Sequence, residues 1–158
     1  MTWEERIRDT SALGGVAAYV ALILAFLSLG KWLWAYQLAG GFGTCYAIAA
    51  VIRTLKFETR PDKTPEGKGW FSRIDASSFP SLHAARMFSL VVVLGSFFHN
   101  IYFYIFLAAI AVIVAYLRIY LKRHYWWDSA GGAILGLLAG WFSLMVTQTI
   151  AELLHFPL

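Results

Sequence analysis

The 158-residue chain is 59% hydrophobic and only 14% charged, with a mean hydropathy of +0.63, which excludes an ordinary soluble domain and leaves room for a handful of membrane spans. Its net charge of +4 lies almost wholly in short segments between apolar runs, so it reads as a topology signal, and no nucleic-acid partner is implied. The single cysteine, Cys45, sits inside an apolar run and excludes an intrachain disulfide and a cysteine metal site.

The first segment, residues 2–10, reads as an interfacial helix, with Thr2 and Glu5 in capping-box spacing and Trp3 and Ile7 on one face suited to lipid headgroups. Mixed charges at the start and no small-residue cleavage pattern after the first apolar run make residues 12–29 an uncleaved anchor, just long enough to cross the bilayer core. Trp32, Trp34 and Tyr36 open a second span over residues 32–52, where Gly40, Gly41 and Gly43 predict close helix contact. The longest polar stretch, residues 53–78, carries Arg53, Lys56 and Arg60. Pro61, Pro65, Gly67 and Gly69 make it a structured loop and not a continuous helix.

A third span is expected over residues 79–98. Ser81, His83 and Arg86 lie in its first turns, where ionisable groups at a membrane surface point to function, and the free N–H groups behind Pro80 suit an anion. His99 and Asn100 turn the chain into a fourth span, residues 101–117. The segment Arg118 to Asp128 follows, with an arginine, a histidine six positions on and an aspartate four after that. In a helix His124 and Asp128 share a face, so the carboxylate can accept from one ring nitrogen and leave the other aimed outward. Read without the rest of the chain, the same pattern also fits an interfacial loop with snorkelling basic residues and a helix-capping aspartate. The fifth span, residues 129–154, carries Gly132, Gly136 and Gly140 as a ridge of small residues, which leaves a homodimer open.

Five spans place the loops at residues 53–78 and 121–127 on one side with the N-terminus, so the three polar clusters face one another. Leaving aside Arg53, Arg60, Arg86 and Arg118, that side holds Arg6, Arg8, Lys56, Lys63, Lys68, Arg73, Lys122 and Arg123, against Lys31 on the other. Short basic loops stay in the cytoplasm, so the candidate site is expected to open on the cytoplasmic face of a multi-pass integral membrane protein.

Written as R(x6)RP, PSLH and R(x5)H(x3)D, the clusters at Arg53–Pro61, Pro80–His83 and Arg118–Asp128 resemble the three-part signature of the type-2 phosphatidic acid phosphatase superfamily, K(x6)RP, PSxH and SR(x5)H(x3)D. These are lipid phosphate phosphatases whose fold is shared with vanadium haloperoxidases and glucose-6-phosphatase. The resemblance implies a single membrane-embedded, all-α domain with a lipid phosphate monoester or diphosphate as substrate. It implies that His124 attacks phosphorus and forms a phosphohistidine while Asp128 holds its imidazole. His83 would protonate the leaving oxygen and then activate water, and Arg53, Arg60, Ser81 and Arg118 would hold the phosphoryl oxygens. A transferring phosphoryl group does need donors around three equatorial oxygens, with a nucleophile and an acid at the apices.

Three departures accompany the match. Arg53 replaces the family's lysine, a role that Lys56 could also fill; Leu82 replaces a frequent glycine; and Leu117 replaces the serine before Arg118. Five spans also stand against the common six. No cofactor is expected, and no metal, because Asp128 is the sole acidic residue of the three motifs. The alternative is a catalytically silent lipid-binding or scaffolding protein of the same fold, which would most cheaply have lost His83, His124 or Asp128.

Overall fold

A chain this apolar has to satisfy its backbone polar groups within its own segments, and it does so with helices. The computed structural model describes residues 15–62, 74 and 76–153, and contains no strand among them. Five helices follow one another: α1 (Val16–Ser28), α2 (Trp32–Leu55), α3 (Leu82–Phe98), α4 (Ile101–Tyr120) and α5 (Trp126–Leu153). Three of them, α2, α4 and α5, are long and apolar enough to cross a membrane; α1 and α3 are shorter apolar helices packed among them. This is an all-α, integral membrane bundle. The interfacial helix expected at residues 2–10, the start of the first span (12–14), residues 63–73 and 75 of the polar loop, and residue 154 of the fifth span lie outside the described residues.

Helix boundaries move by a turn from those the apolar runs predict, for local reasons. α2 continues through Arg53 to Leu55, because nothing breaks the helix until the extended backbone of Lys56. α3 starts only after Pro80, capped by Ser81, whose hydroxyl accepts from the Ala84 N–H at 3.5 Å. α4 is capped by Asn100, which accepts from Tyr102 and Phe103, and α3 ends at His99 in the left-handed region. α5 begins at Trp126, which puts Asp128 in its first turn, where its Oδ2 accepts from the Tyr125 N–H at 2.8 Å.

The packing is that of helices in lipid, with small side chains inside and large ones outside. Ala35, Ala49, Ala84, Ala85, Ala111 and Ala139 are buried, whereas Leu24, Ile134, Leu138 and Trp141 are exposed. The glycines of α5 are part of this interior. At Gly132 a Cβ would strike the Ser81 carbonyl oxygen, at Gly136 the Ala85 carbonyl oxygen, and at Gly140 it would crowd Val92 and Ser89. The ridge that left a homodimer open is therefore buried against α3 of the same chain and offers no surface to a second copy. Gly40 and Gly41 likewise admit Ser143 and Ser89, while Gly43 meets nothing within 4 Å.

Gly136→Ala should destabilise the bundle by about 1–3 kcal/mol, the usual range for overpacking. Gly43→Ala should be neutral or mildly stabilising, since an open helical glycine gives up only conformational freedom. Thermal unfolding in detergent checks both; equal effects at the two positions would mean that the α3–α5 approach does not limit stability.

Candidate active site

Each cluster reaches the site from the end of a helix. Arg53 projects from the last turn of α2, His83 from the first turn of α3, and Arg118 from the last turn of α4. After α4 the chain doubles back through Lys122, at φ +55°, and the carbonyl of Arg118 accepts both the Arg123 N–H (3.0 Å) and the His124 N–H (3.2 Å). That closed turn is the physical content of the five-residue gap between Arg118 and His124. It leaves the imidazole buried beside the end of its own preceding helix.

The polar stretch between α2 and α3 is tied down by its two arms. The Ser78 N–H donates to the Glu58 carbonyl at 2.8 Å and the Glu58 N–H to Ser77 Oγ at 3.2 Å. Arg53 locks the far arm, donating from Nη1 to the Ile74 carbonyl (2.9 Å) and from Nη2 to the Pro80 carbonyl (2.7 Å). A 2.9 Å ion pair between Arg123 and Asp62 fastens the near arm to the α4–α5 turn.

His124 is held by a group that sequence reading missed. Its Nδ1 lies 3.4 Å from Ser78 Oγ and 3.7 Å from Asp128 Oδ2, and Ser78 Oγ donates a short hydrogen bond to that same carboxylate oxygen. A proton on Nδ1 can thus be accepted by Ser78, whose own proton goes to Asp128, so the serine bridges a gap too long for a direct bond. Nε2 is left for chemistry. Ser78 stands two residues before Pro80, in a pair of buried serines that could have been read as polar groups needing a partner. Burial pushes the His124 pKa below the ordinary histidine value; Asp128 opposes this, while Arg118 and Arg60 reinforce it.

One cavity gathers Arg53, Arg60, His83, Arg86, Arg118 and His124, with Tyr46 of α2, Leu82, and Gly15 and Val16 at the start of α1. At about 170 Å³ it is smaller than the ~300–1,000 Å³ of a usual small-molecule pocket. Two predicted ligands are placed elsewhere. Lys56 has a side chain 79% exposed and 3.8 Å from Glu58, so the position resembling the family's lysine is held at the cavity by Arg53. Ser81 is fully buried as the α3 cap, and its N–H donates to the Asp128 carbonyl at 3.0 Å, joining the starts of α3 and α5 without lining the cavity.

Residues 34–152 match the model of the PAP2 superfamily, which is three quarters of the chain. The chain belongs to the PAP2 superfamily. Among solved PAP2-like folds it superposes on the crystal structure of Aquifex aeolicus LpxE with a TM-score of 0.73 at 24% identity, covering 88% of this chain and 83% of that one. It superposes on the transmembrane PAP2-type phosphatidylglycerolphosphate phosphatase of Bacillus subtilis with a TM-score of 0.71 at 26% identity, covering 95% of this chain and 79% of that one. It is also 36% identical over 77 residues, 49% of its length, to the lipid A 4'-phosphatase of Bacteroides thetaiotaomicron, of which the match covers 34%. The match therefore spans about a third of that relative.

In this PAP2 protein the sign of the His124 shift is testable. The imidazole should stay neutral below the ordinary histidine value of about 6.5, and Asp128→Asn should lower its titration midpoint further, because the carboxylate is the group that opposes burial. Titration of the histidine resonances by NMR in detergent measures both; a midpoint that rises in Asp128→Asn would reverse the assignment.

Proposed function

We propose that the protein is an integral membrane phosphatase that removes the terminal phosphate of a lipid phosphate monoester or diphosphate. The observation that carries this reading is the convergence of two histidines and four arginines, with no carboxylate among them, on one small cavity at one end of an apolar bundle. Such a lining attracts a phosphoryl dianion and repels a divalent cation, so the guanidinium groups take the charge-neutralising part that a metal plays elsewhere.

In this mechanism the Nε2 lone pair of His124 attacks phosphorus as the bond from phosphorus to the leaving oxygen breaks. His83, which takes up a proton as the phosphate dianion offsets the surrounding guanidinium charge, gives that oxygen its proton, and the lipid product departs. The resulting phosphohistidine is then cleaved by a water that His83, now neutral, deprotonates. Inorganic phosphate leaves and His124 returns to its starting form. Arg60 and Arg118 hold the equatorial oxygens; Arg53, with donors already on two carbonyls, adds charge and fixes the wall of the cavity. Asp128 and Ser78 are positioning residues, setting the tautomer and aim of the imidazole.

The decisive experiment is phosphate release from a panel of lipid phosphates by detergent-purified protein in EDTA. Activity should persist in EDTA, be inhibited by vanadate, and fall by at least a thousandfold in His124→Ala, of the order seen when a nucleophile is removed. Wild-type enzyme quenched in acid-free denaturant should carry an acid-labile phosphohistidine. Near-normal turnover in His124→Ala, or a strict Mg²⁺ requirement, would overturn the mechanism.

The basic residues Lys56, Lys122 and Arg123 flank the cavity side of the bundle, in keeping with a cytoplasmic opening. Thr59 is exposed on that side and Cys45 is fully buried, so Thr59→Cys supplies a single reporter. An impermeant thiol reagent should label it only after permeabilisation of intact cells; labelling beforehand would put the active site on the outer face.

A further inference from the structure

Arg86 lines the same cavity, yet the reaction above gives it nothing to do. It is 3% exposed, within α3, three residues past His83 on the same face and so about 4.5 Å further along the helix towards the bilayer interior. Its Nη1 donates to the Tyr46 hydroxyl at 2.6 Å, and its guanidinium carbon stands 5.7 Å from the centre of the Tyr46 ring. Its Nε is buried with no hydrogen-bond partner among the described residues. The titratable groups that face it are Tyr46, Cys45 and Tyr19 together with His83 and Arg118, and no carboxylate is among them. A guanidinium at this depth without a counter-ion is costly, and tyrosine satisfies only part of it.

Position supplies the missing partner. With His124 attacking from the α4–α5 turn and His83 protonating the leaving oxygen, whatever carries that oxygen lies on the α3 side of the cavity. Arg86 is the next charged side chain along α3 in that direction. We propose that Arg86, steadied by Tyr46, binds a second phosphoryl group on the lipid side of the one removed, so that the preferred substrate holds two phosphorus centres. A lipid diphosphate meets this description, as does a phosphomonoester joined through a short polyol to a phosphodiester. The proposal rests on the phosphatase reading for the direction of the leaving group, but it can be tested without turnover.

The measurement is equilibrium binding to detergent-purified protein by calorimetry, with orthophosphate, methylenediphosphonate and propane-1,3-diyl bisphosphate as probes. The wild type should bind at least one of the two bis-anions roughly tenfold or more tighter than orthophosphate, the size of one hydrogen bond to a charged group. Which of the two binds tighter identifies a P–O–P or a spaced arrangement. Arg86→Gln should collapse that ratio towards one, whereas Arg60→Gln should weaken all three probes together and keep the ratio. Tyr46→Phe retains the ring, removes the hydroxyl that aims the guanidinium, and carries the same comparison if Arg86→Gln does not fold. Equal binding of all probes by the wild type, or a ratio that survives the loss of Arg86, overturns the subsite. Selective binding without phosphate release would leave the subsite standing and remove the phosphatase reading instead.

Discussion

The contact between α3 and α5 is the constraint from which the rest of the molecule follows. Two helix backbones can approach until a Cβ would meet a carbonyl oxygen only where the side chain is missing, and Gly132 and Gly136 provide this opposite Ser81 and Ala85. The closeness brings the Ser81 N–H onto the Asp128 carbonyl and Ser78 onto the Asp128 carboxylate. These join the segment before α3 to the first turn of α5. His124 is aimed from that junction, so helix packing in the apolar interior fixes an imidazole at its end. A side chain on the ridge would shift the imidazole without touching the cavity.

Charge poses the opposite problem. Four guanidinium groups share a cavity with no carboxylate in its lining, and the described acidic groups nearby are already engaged: Asp62 with Arg123, and Asp128 with Ser78 and Tyr125. Two of the four are held on neutral acceptors. Arg53 donates to two carbonyls and Arg86 to a tyrosine hydroxyl, which orients both groups. A lining so charged and so held is preorganised for an anion.

Much of this was legible in the sequence, because membrane helices announce themselves by length and apolar content, and parity then places the polar loops. The signature residues Arg60, His83, Arg118 and His124 line one cavity, although only three of the five expected spans are helices long enough to cross a membrane. What sequence could not give was the use of each polar atom. Ser81 and Asp128 sit in motifs that resemble ligand and catalytic positions, yet Ser81 is absorbed by the α3 cap, and a cap and a ligand have the same one-letter pattern. Lys56 lies one residue beyond the end of α2, and this single step turns its side chain out to solvent, away from Arg53. Ser78 escaped because its partner is 50 residues away, and no local period encodes such a bond.

Asp128 also removes a distinction that sequence reading drew between two meanings of the same segment. As the acid in the first turn of α5 its Oδ2 caps the helix through the Tyr125 N–H, and the same oxygen receives Ser78 and faces His124 Nδ1. The capping and orienting interpretations are therefore compatible. A carboxylate fixed by a backbone N–H has lost the rotational freedom that would otherwise blur its aim, and the positive end of the α5 dipole favours its charged form. Because the N-terminal turn of a membrane helix lies at the bilayer surface, a residue that both starts the helix and orients a histidine ties that imidazole to the depth at which lipid headgroups reside. The three-residue interval between His124 and Asp128 then has a structural reason: it is the length of chain needed for the imidazole to stand just outside the helix whose first turn holds it.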